Sequence, residues 1–162
     1  MTSLEVRPRE ESDLPEVERF LSDRHARHVA RLGRLEDSLA HPALVAERSG
    51  RLAGVLTYVL DRDTCEVLTL HAAERGGGVG TALLKAAEGI ARNAGCARLW
   101  LITTNDNVDA LRFYQRRGFR LAALHRGAVD DSRNRLKPDI PVVGEHGIHL
   151  RDELELDKVL GP

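Results

Sequence analysis

One stretch restricts the fold more than any other: Leu68-Thr69-Leu70, then Arg75-Gly76-Gly77-Gly78-Val79-Gly80-Thr81. An apolar run of strand length enters a turn rich in glycine and leaves in a pattern of helical spacing. Glycine lets the main chain approach a ligand with no Cβ in the way. The exposed N–H groups of a helix's first turn carry a partial positive charge of roughly +0.5, which suits phosphate. Two familiar phosphate loops do not fit, because no Gly-Lys-Ser/Thr ending follows and no G-x-G-x-x-G register is completed. The same glycines also suit a flexible turn with a helix cap.

The flanking pattern is that of a mixed α/β domain. Leu4 to Arg7 alternates as a short strand, and a helix is expected near Asp13 to Leu21, capped by Ser12 or Asp13. Residues 23–35 carry Ala26, Val29, Ala30 and Leu32 among Arg and His, which predicts a second, surface helix. Ala43 to Arg48, Arg51 to Leu60 and Thr64 to His71 are strand-like and separated by Ser49-Gly50 and Asp61-Arg62-Asp63, the spacing of an antiparallel meander. Val79, Leu83, Ala86, Ile90 and Ala94 then recur at helical spacing, with Gly95 placed to close the helix. A strand over Ala97 to Thr103, a helix over Asn107 to Arg117 ended by Gly118, and a strand over Phe119 to His125 follow. In the tail, a short helix and an edge strand near Glu153 to Asp157 are expected.

The length of 162 residues sets the expectation of one domain over 1–162. Lys plus Arg total 24 against 25 Asp plus Glu, so no strong field favours nucleic acid or an anionic membrane. Trp100, the single Trp, gives little stacking surface. No apolar run approaches a membrane span and the first residues are polar, which points to a cytoplasmic protein. Cys65 and Cys96 stand far apart and outside any C-x-x-C spacing, so they are expected as reduced, buried thiols. His25-x-x-His28 and His146-x-x-His149 lack a carboxylate at a recognisable interval, and no metal is expected.

The helix at 107–119 reads Asn107-x-x-Ala110-x-x-Phe113-Tyr114-x-x-x-Gly118-Phe119, and the glycine turn reads Arg75-x-x-Gly78-x-Gly80. In this order, with a helix and a strand between them, the two resemble the paired motifs of the GNAT superfamily of N-acetyltransferases. The core of the resemblance covers roughly residues 43 to 125. It departs at Ala72, where many relatives have proline, and leaves the tail unexplained. The resemblance implies a mixed sheet of about seven strands flanked by helices and splayed between its fourth and fifth strands, residues 64–71 and 97–103. Acetyl-CoA would lie there, with no metal.

The resemblance also implies roles. The backbone of Leu68, Thr69 and Leu70 would hold pantetheine, and the amides of Gly76, Gly77, Gly78, Val79, Gly80 and Thr81 would surround the pyrophosphate. Arg75 would shape the turn, and Asn107 would help hold the cofactor. Tyr114 would lie near the coenzyme A sulfur as general acid. Glu66, sharing strand parity with Leu68 and Leu70, is the leading base and His71 the alternative; one residue of register error would turn Glu66 to the other face. His25 and His28, with Arg24 and Arg27, would border the acceptor or simply solvate a helix. Arg112, Arg116, Arg117 and Arg120 would solvate their helix or meet the 3′-phosphate.

The activity so implied is transfer of an acetyl group from acetyl-CoA to a primary amine, small or on a protein, by a monomer or homodimer. The alternative is an acyl-CoA-binding sensor of the same fold without turnover. Tyr114 and Glu66 favour the enzyme, because a pure binder needs neither acid nor base.

Overall fold

The computed structural model of the chain describes residues 3–161. Its strands are β1 (Leu4–Pro8), β2 (His28–Arg31), β3 (Arg34–Asp37), β4 (Ala43–Arg48), β5 (Arg51–Asp61), β6 (Thr64–Ala72), β7 (Arg98–Thr104), β8 (Arg120–His125) and β9 (Glu153–Val159). Its helices are α1 (Leu14–Ser22), α2 (Val79–Asn93), α3 (Val108–Gln115) and α4 (Ala128–Arg135). Seven strands form a sheet in the order β1-β4-β5-β6-β7-β9-β8, and β2 pairs with β3 apart from it. This is the mixed α/β architecture expected. No helix among the described residues is long and apolar enough to cross a membrane.

The chain divides into two compact units, the first comprising the described residues up to His28, Asp37–Leu99 and the last residues from Leu160. Its frame is the expected meander, in which β4 pairs with β5 and β5 with β6, both antiparallel, while β1 lies antiparallel against β4. Ser49 (φ 55) and Gly50 (φ 71) both adopt left-handed geometry, the type I′ turn whose twist matches a hairpin. Val17, Phe20 and Leu21 of α1 pack with Ala43, Val45 and Val55 in one core. Asp13 does not cap α1 through its side chain. Its carboxylate instead takes two hydrogen bonds from Arg7, at 2.7 and 2.9 Å, and one from Glu10 N at 2.7 Å.

Helix α2 buries Val79, Leu83, Leu84, Ala87 and Ala91. The expected stripe through Ala86, Ile90 and Ala94 is therefore rotated: Ala94 is exposed, and the helix turns the next set of residues inward. The close approach of α2 requires Gly54 on β5, where an added Cβ would meet Val79 Cγ1 at 2.5 Å and Leu83 Cδ1 and His71 O at 3.0 Å. Cys65 and Cys96 are free and buried, and burial pushes the Cys65 thiol up to about 12. Such thiols stay protonated and inert.

The second unit comprises Val29–Glu36 and Trp100–Val159. Residues 23–35 do not form the expected helix; they run into the β2-β3 hairpin. Leu32 (φ 50) and Gly33 (φ 75) supply the two left-handed residues of its turn. A leucine in that position gives no cue, since Asn or Gly is the usual signal. Leu32 N donates to Glu153 Oε1 at 2.9 Å, which fixes the turn to the start of β9. Strand β9 is not at the edge as expected. It lies between β7 and β8, so β8 is the terminal strand, with Leu121 and Leu124 exposed.

Candidate functional site

Strand β6 carries the first group of candidate residues, and a bulge decides which way they face. Thr57 pairs with Thr69 and the next residue, Tyr58, with Val67, so Leu68 is an extra residue on β6. An extra residue reverses the alternation of side chains along its strand. The parity that groups Glu66 with Leu68 and Leu70 does not survive it. Directly opposed residues share a face. Hence Glu66 (opposite Val59), Thr69 (opposite Thr57) and His71 (opposite Val55) lie on one face, and Cys65, Val67 and Leu70 on the other. The first face is that of Val55, which packs with α1; the second is that of Gly54, against α2.

Glu66 is 3% exposed, so it is not the solvated strand glutamate that a register error would have left. His71 is half-buried, and its imidazole is held below the ordinary value by burial and then by the nearby Arg24 guanidinium. It is accordingly neutral at pH 7 and able to accept a proton. Thr57, which belongs to no sequence motif, is fully buried on the same face.

Strand β6 ends at Ala72, and the chain turns through exposed residues 73–78 into α2. Gly76 (φ 78) and Gly78 (φ 77) are left-handed, and a Cβ on either would meet nothing within 4 Å. Gly78 is the N-cap of α2 and has no side chain to satisfy the first-turn N–H groups. Those donors therefore stand uncapped by a side chain, next to an exposed stretch of backbone, at the positive end of a fifteen-residue helix. The turn is braced by Arg48, whose Nη2 donates to Gly77 O at 2.8 Å. Sequence spacing gave no hint of Arg48, which reaches the turn from β4. Arg75, assigned the shaping role by resemblance, is exposed.

The second unit carries the other candidates. Asn107 caps α3, its Oδ1 accepting from Ala110 N at 3.1 Å. Asp106 is instead buried and accepts from Glu145 N at 2.9 Å, pinning the 144–145 segment. Tyr114 is 8% exposed, whereas Phe113 is only half-buried. Tyr114 sits edge-on to Phe113 and Phe119, with ring centroids 5.1 and 5.4 Å away. Burial pushes its phenol far above the ordinary tyrosine value, so it holds its proton at neutral pH. Arg117 covers the Phe113 ring, its guanidinium carbon 3.7 Å from the centroid, and is committed to that helix.

His25 (φ 54) lies in the turn after α1 and His28 opens β2, so the two do not share a helical face. His146, Asp109 and Glu145 bring three possible metal ligand atoms within 4.8 Å of one another at a solvent-facing position. Glu145 directly precedes His146, whereas Asp109 comes from a distant position, so spacing around His146 does not reveal the group. Exposed groups of this kind are common without an ion.

The pattern of the acetyltransferase (GNAT) family matches residues 5–119. The chain belongs to this family. Membership carries the coarse activity, acetyl transfer from an acyl-CoA donor. Among curated relatives, the Bacillus subtilis (strain 168) protein YdhI is 48% identical over 112 residues, 69% of this chain and 69% of its own length. The streptothricin acetyltransferase of Streptomyces lavendulae is 31% identical over 114 residues, 65% of this chain and 60% of its own. Among solved GNAT-like structures, an IAA acetyltransferase from Bacillus cereus superposes with a TM-score of 0.71 at 24% identity, covering 98% of this chain and 100% of that one. A GNAT family acetyltransferase from Elizabethkingia anophelis with acetyl-CoA bound gives 0.71 at 21% identity, covering 97% and 98%. At these identities the structures attest the fold.

Proposed function

We propose that the chain transfers the acetyl group of acetyl-CoA to a primary amine. The observation that carries this reading is the glycine turn, where Gly76 and Gly78 leave bare backbone at the uncapped N-terminus of α2. A pyrophosphate there would meet N–H donors and the positive end of the helix dipole. The backbone of Leu68, Thr69 and Leu70 holds the pantetheine arm, and the amides from Gly76 through Gly77, Gly78, Val79 and Gly80 to Thr81 take the phosphates. Arg48 adds the brace that keeps Gly77 in place, and Arg75 flanks the turn. Asn107 spends its Oδ1 on capping α3, so its part in holding the cofactor falls to Nδ2 and to the order it imposes on the helix.

The thioester supplies an activated acetyl carbon and a thiolate leaving group. The amine must lose a proton as its N–C bond forms, and the departing sulfur must gain one as the C–S bond breaks. Glu66 takes the first proton, with His71 on the same face as a neutral relay. Tyr114 supplies the second. Its raised pKa keeps the proton available but reduces the driving force for giving it up, so the hydroxyl contributes at the lower end of the range for general acids.

The test is to follow free thiol release with a panel of amines for the wild-type protein and Tyr114→Phe. The variant keeps the ring and its packing. A fall in kcat of roughly 10²-fold, with acetyl-CoA affinity unchanged, is expected. An unchanged kcat across neutral pH would remove Tyr114 from the chemistry. Acetyl-CoA binding by both proteins without acetylation of any amine would favour the sensor.

A further inference from the structure

Two buried hydroxyls on the Glu66 face are not used by that chemistry. Thr57 is 0% and Thr69 5% exposed, they stand directly opposite one another on β5 and β6, and neither Oγ1 has a hydrogen-bond partner among the described residues. Buried polar groups in folded proteins are rarely left unsatisfied, and two facing each other across one strand pair call for an explanation. Packing does not provide one. Valine has nearly the same shape, suits a strand equally well, and carries no hydroxyl to desolvate. Val55 and Val59, the neighbours of Thr57 on the same face of β5, show that this surface accepts valine.

We propose that Thr57 and Thr69 are the hydroxyl arms of an acceptor pocket that takes an unhindered primary ammonium group. The inference rests on the acetyltransferase reading and names the side chains that hold its acceptor. An alkylammonium has three N–H donors and no acceptor, whereas a hydroxyl can accept and a carboxylate accepts only. Thr57 Oγ1, Thr69 Oγ1 and the Glu66 carboxylate therefore match the three donors of one –NH3+ group. The carboxylate selects a cation over a phosphate or carboxylate ligand, and Val59, half-buried on the same face, offers apolar surface for the first carbons of its stem. A secondary amine would leave one acceptor unsatisfied, and a quaternary ammonium all three. Replacing either threonine hydroxyl removes a ligand contact while relieving the free protein of an unpaired polar atom. A purely structural threonine does not give this combination.

The experiment measures binding by calorimetry with coenzyme A present, so that no acetyl transfer intervenes. The probes are butylamine, ethanolamine and putrescine, each beside its N-trimethylated counterpart. At least one primary amine is expected to bind, with its trimethylated counterpart at least about tenfold weaker. Thr57→Val and Thr69→Val should each weaken the primary amine by about tenfold, the usual consequence of losing one hydrogen bond to a charged group. Their ligand-free melting temperatures should equal or exceed the wild-type value, and Thr57→Ser and Thr69→Ser should restore binding. Coenzyme A affinity should not change, because the contacts assigned to Thr69 there are made by its backbone. Wild-type affinity in both valine variants, equal binding of the trimethylated probes, or no binding by any primary amine would overturn the pocket. Binding of this pattern without acetyl transfer would leave the pocket standing and defeat the acetyltransferase reading. Acetyl transfer with an amine KM indifferent to both valine substitutions would do the opposite.

Discussion

Gly54→Ala adds one methyl group where α2 lies closest to β5. The new Cβ would sit 2.5 Å from Val79 Cγ1 and 3.0 Å from both Leu83 Cδ1 and His71 O. Carbon atoms pack at about 3.5 to 4.0 Å, so Val79 must retreat by an ångström or more. It cannot do so by a simple rotamer change, because a β-branched side chain in a helix has one strongly preferred rotamer. The His71 carbonyl belongs to a strand backbone and is no more yielding. Overpacking of this kind costs about 1 to 3 kcal/mol, and two unyielding neighbours place the cost at about 2 to 3 kcal/mol. For a domain of this size that corresponds to a melting temperature lowered by about 4 to 12 °C. Urea denaturation gives the free energy directly. Val79 is also the first residue of α2, so the displacement falls beside the glycine turn, and acetyl-CoA affinity should drop with stability. Combining Gly54→Ala with Val79→Ala relieves the closest of these contacts, and the double variant should be less destabilised than the sum of the singles by about 1 to 2 kcal/mol. A stability change within about 0.5 kcal/mol for Gly54→Ala, or strict additivity in the cycle, would refute the close-approach argument.

Three further perturbations have defined outcomes. Arg7 holds the Asp13 carboxylate at about 2, below its ordinary 3.8, so its contribution is present above pH ~4 and lost as the pH falls toward ~2. Asp13→Asn should remove about 1 kcal/mol at neutral pH and flatten the stability profile in that window, the discount reflecting partial solvent access; an unaltered acid limb counts against it. Arg48→Ala should weaken acetyl-CoA binding several-fold with little change in melting temperature, since the contact it loses is an exposed one to Gly77 O; unchanged affinity would mean the brace is dispensable. Gly78→Glu puts a bulky anion at a left-handed position facing the proposed phosphate site, and should reduce acetyl-CoA affinity tenfold or more. Gly78→Gln, of nearly the same size and equally strained at that backbone but uncharged, is the control, and equal losses in the two variants would point to strain or bulk rather than charge.

The parts legible in the sequence were those with local causes. The meander followed from turn residues between β-rich runs, α2 from its periodicity and Gly95, and α3 from Asn107 and Gly118. What escaped depends on distant partners. The β2-β3 hairpin turns on a left-handed Leu32, tied to Glu153 by a hydrogen bond across the second unit. The bulge at Leu68 is visible only in the register against β5, and it alone decides that Glu66 shares a face with Thr69 and His71. Thr57 looked like any strand threonine until its partner and its unpaired hydroxyl were known. Arg48 comes from β4 to a turn some thirty residues later. Tyr114 meets Phe119, beyond the end of its helix, edge-on, a contact that helical periodicity does not encode.

The central claim is acetyl transfer, and it is tested most directly by incubating the full chain with acetyl-CoA and a panel of small primary amines while measuring both products. The account predicts that at least one amine becomes N-acetylated and that free coenzyme A thiol appears in equal amount. Thiol release without an acetylated amine, or acetyl-CoA bound tightly and left intact in the presence of every amine, would contradict it.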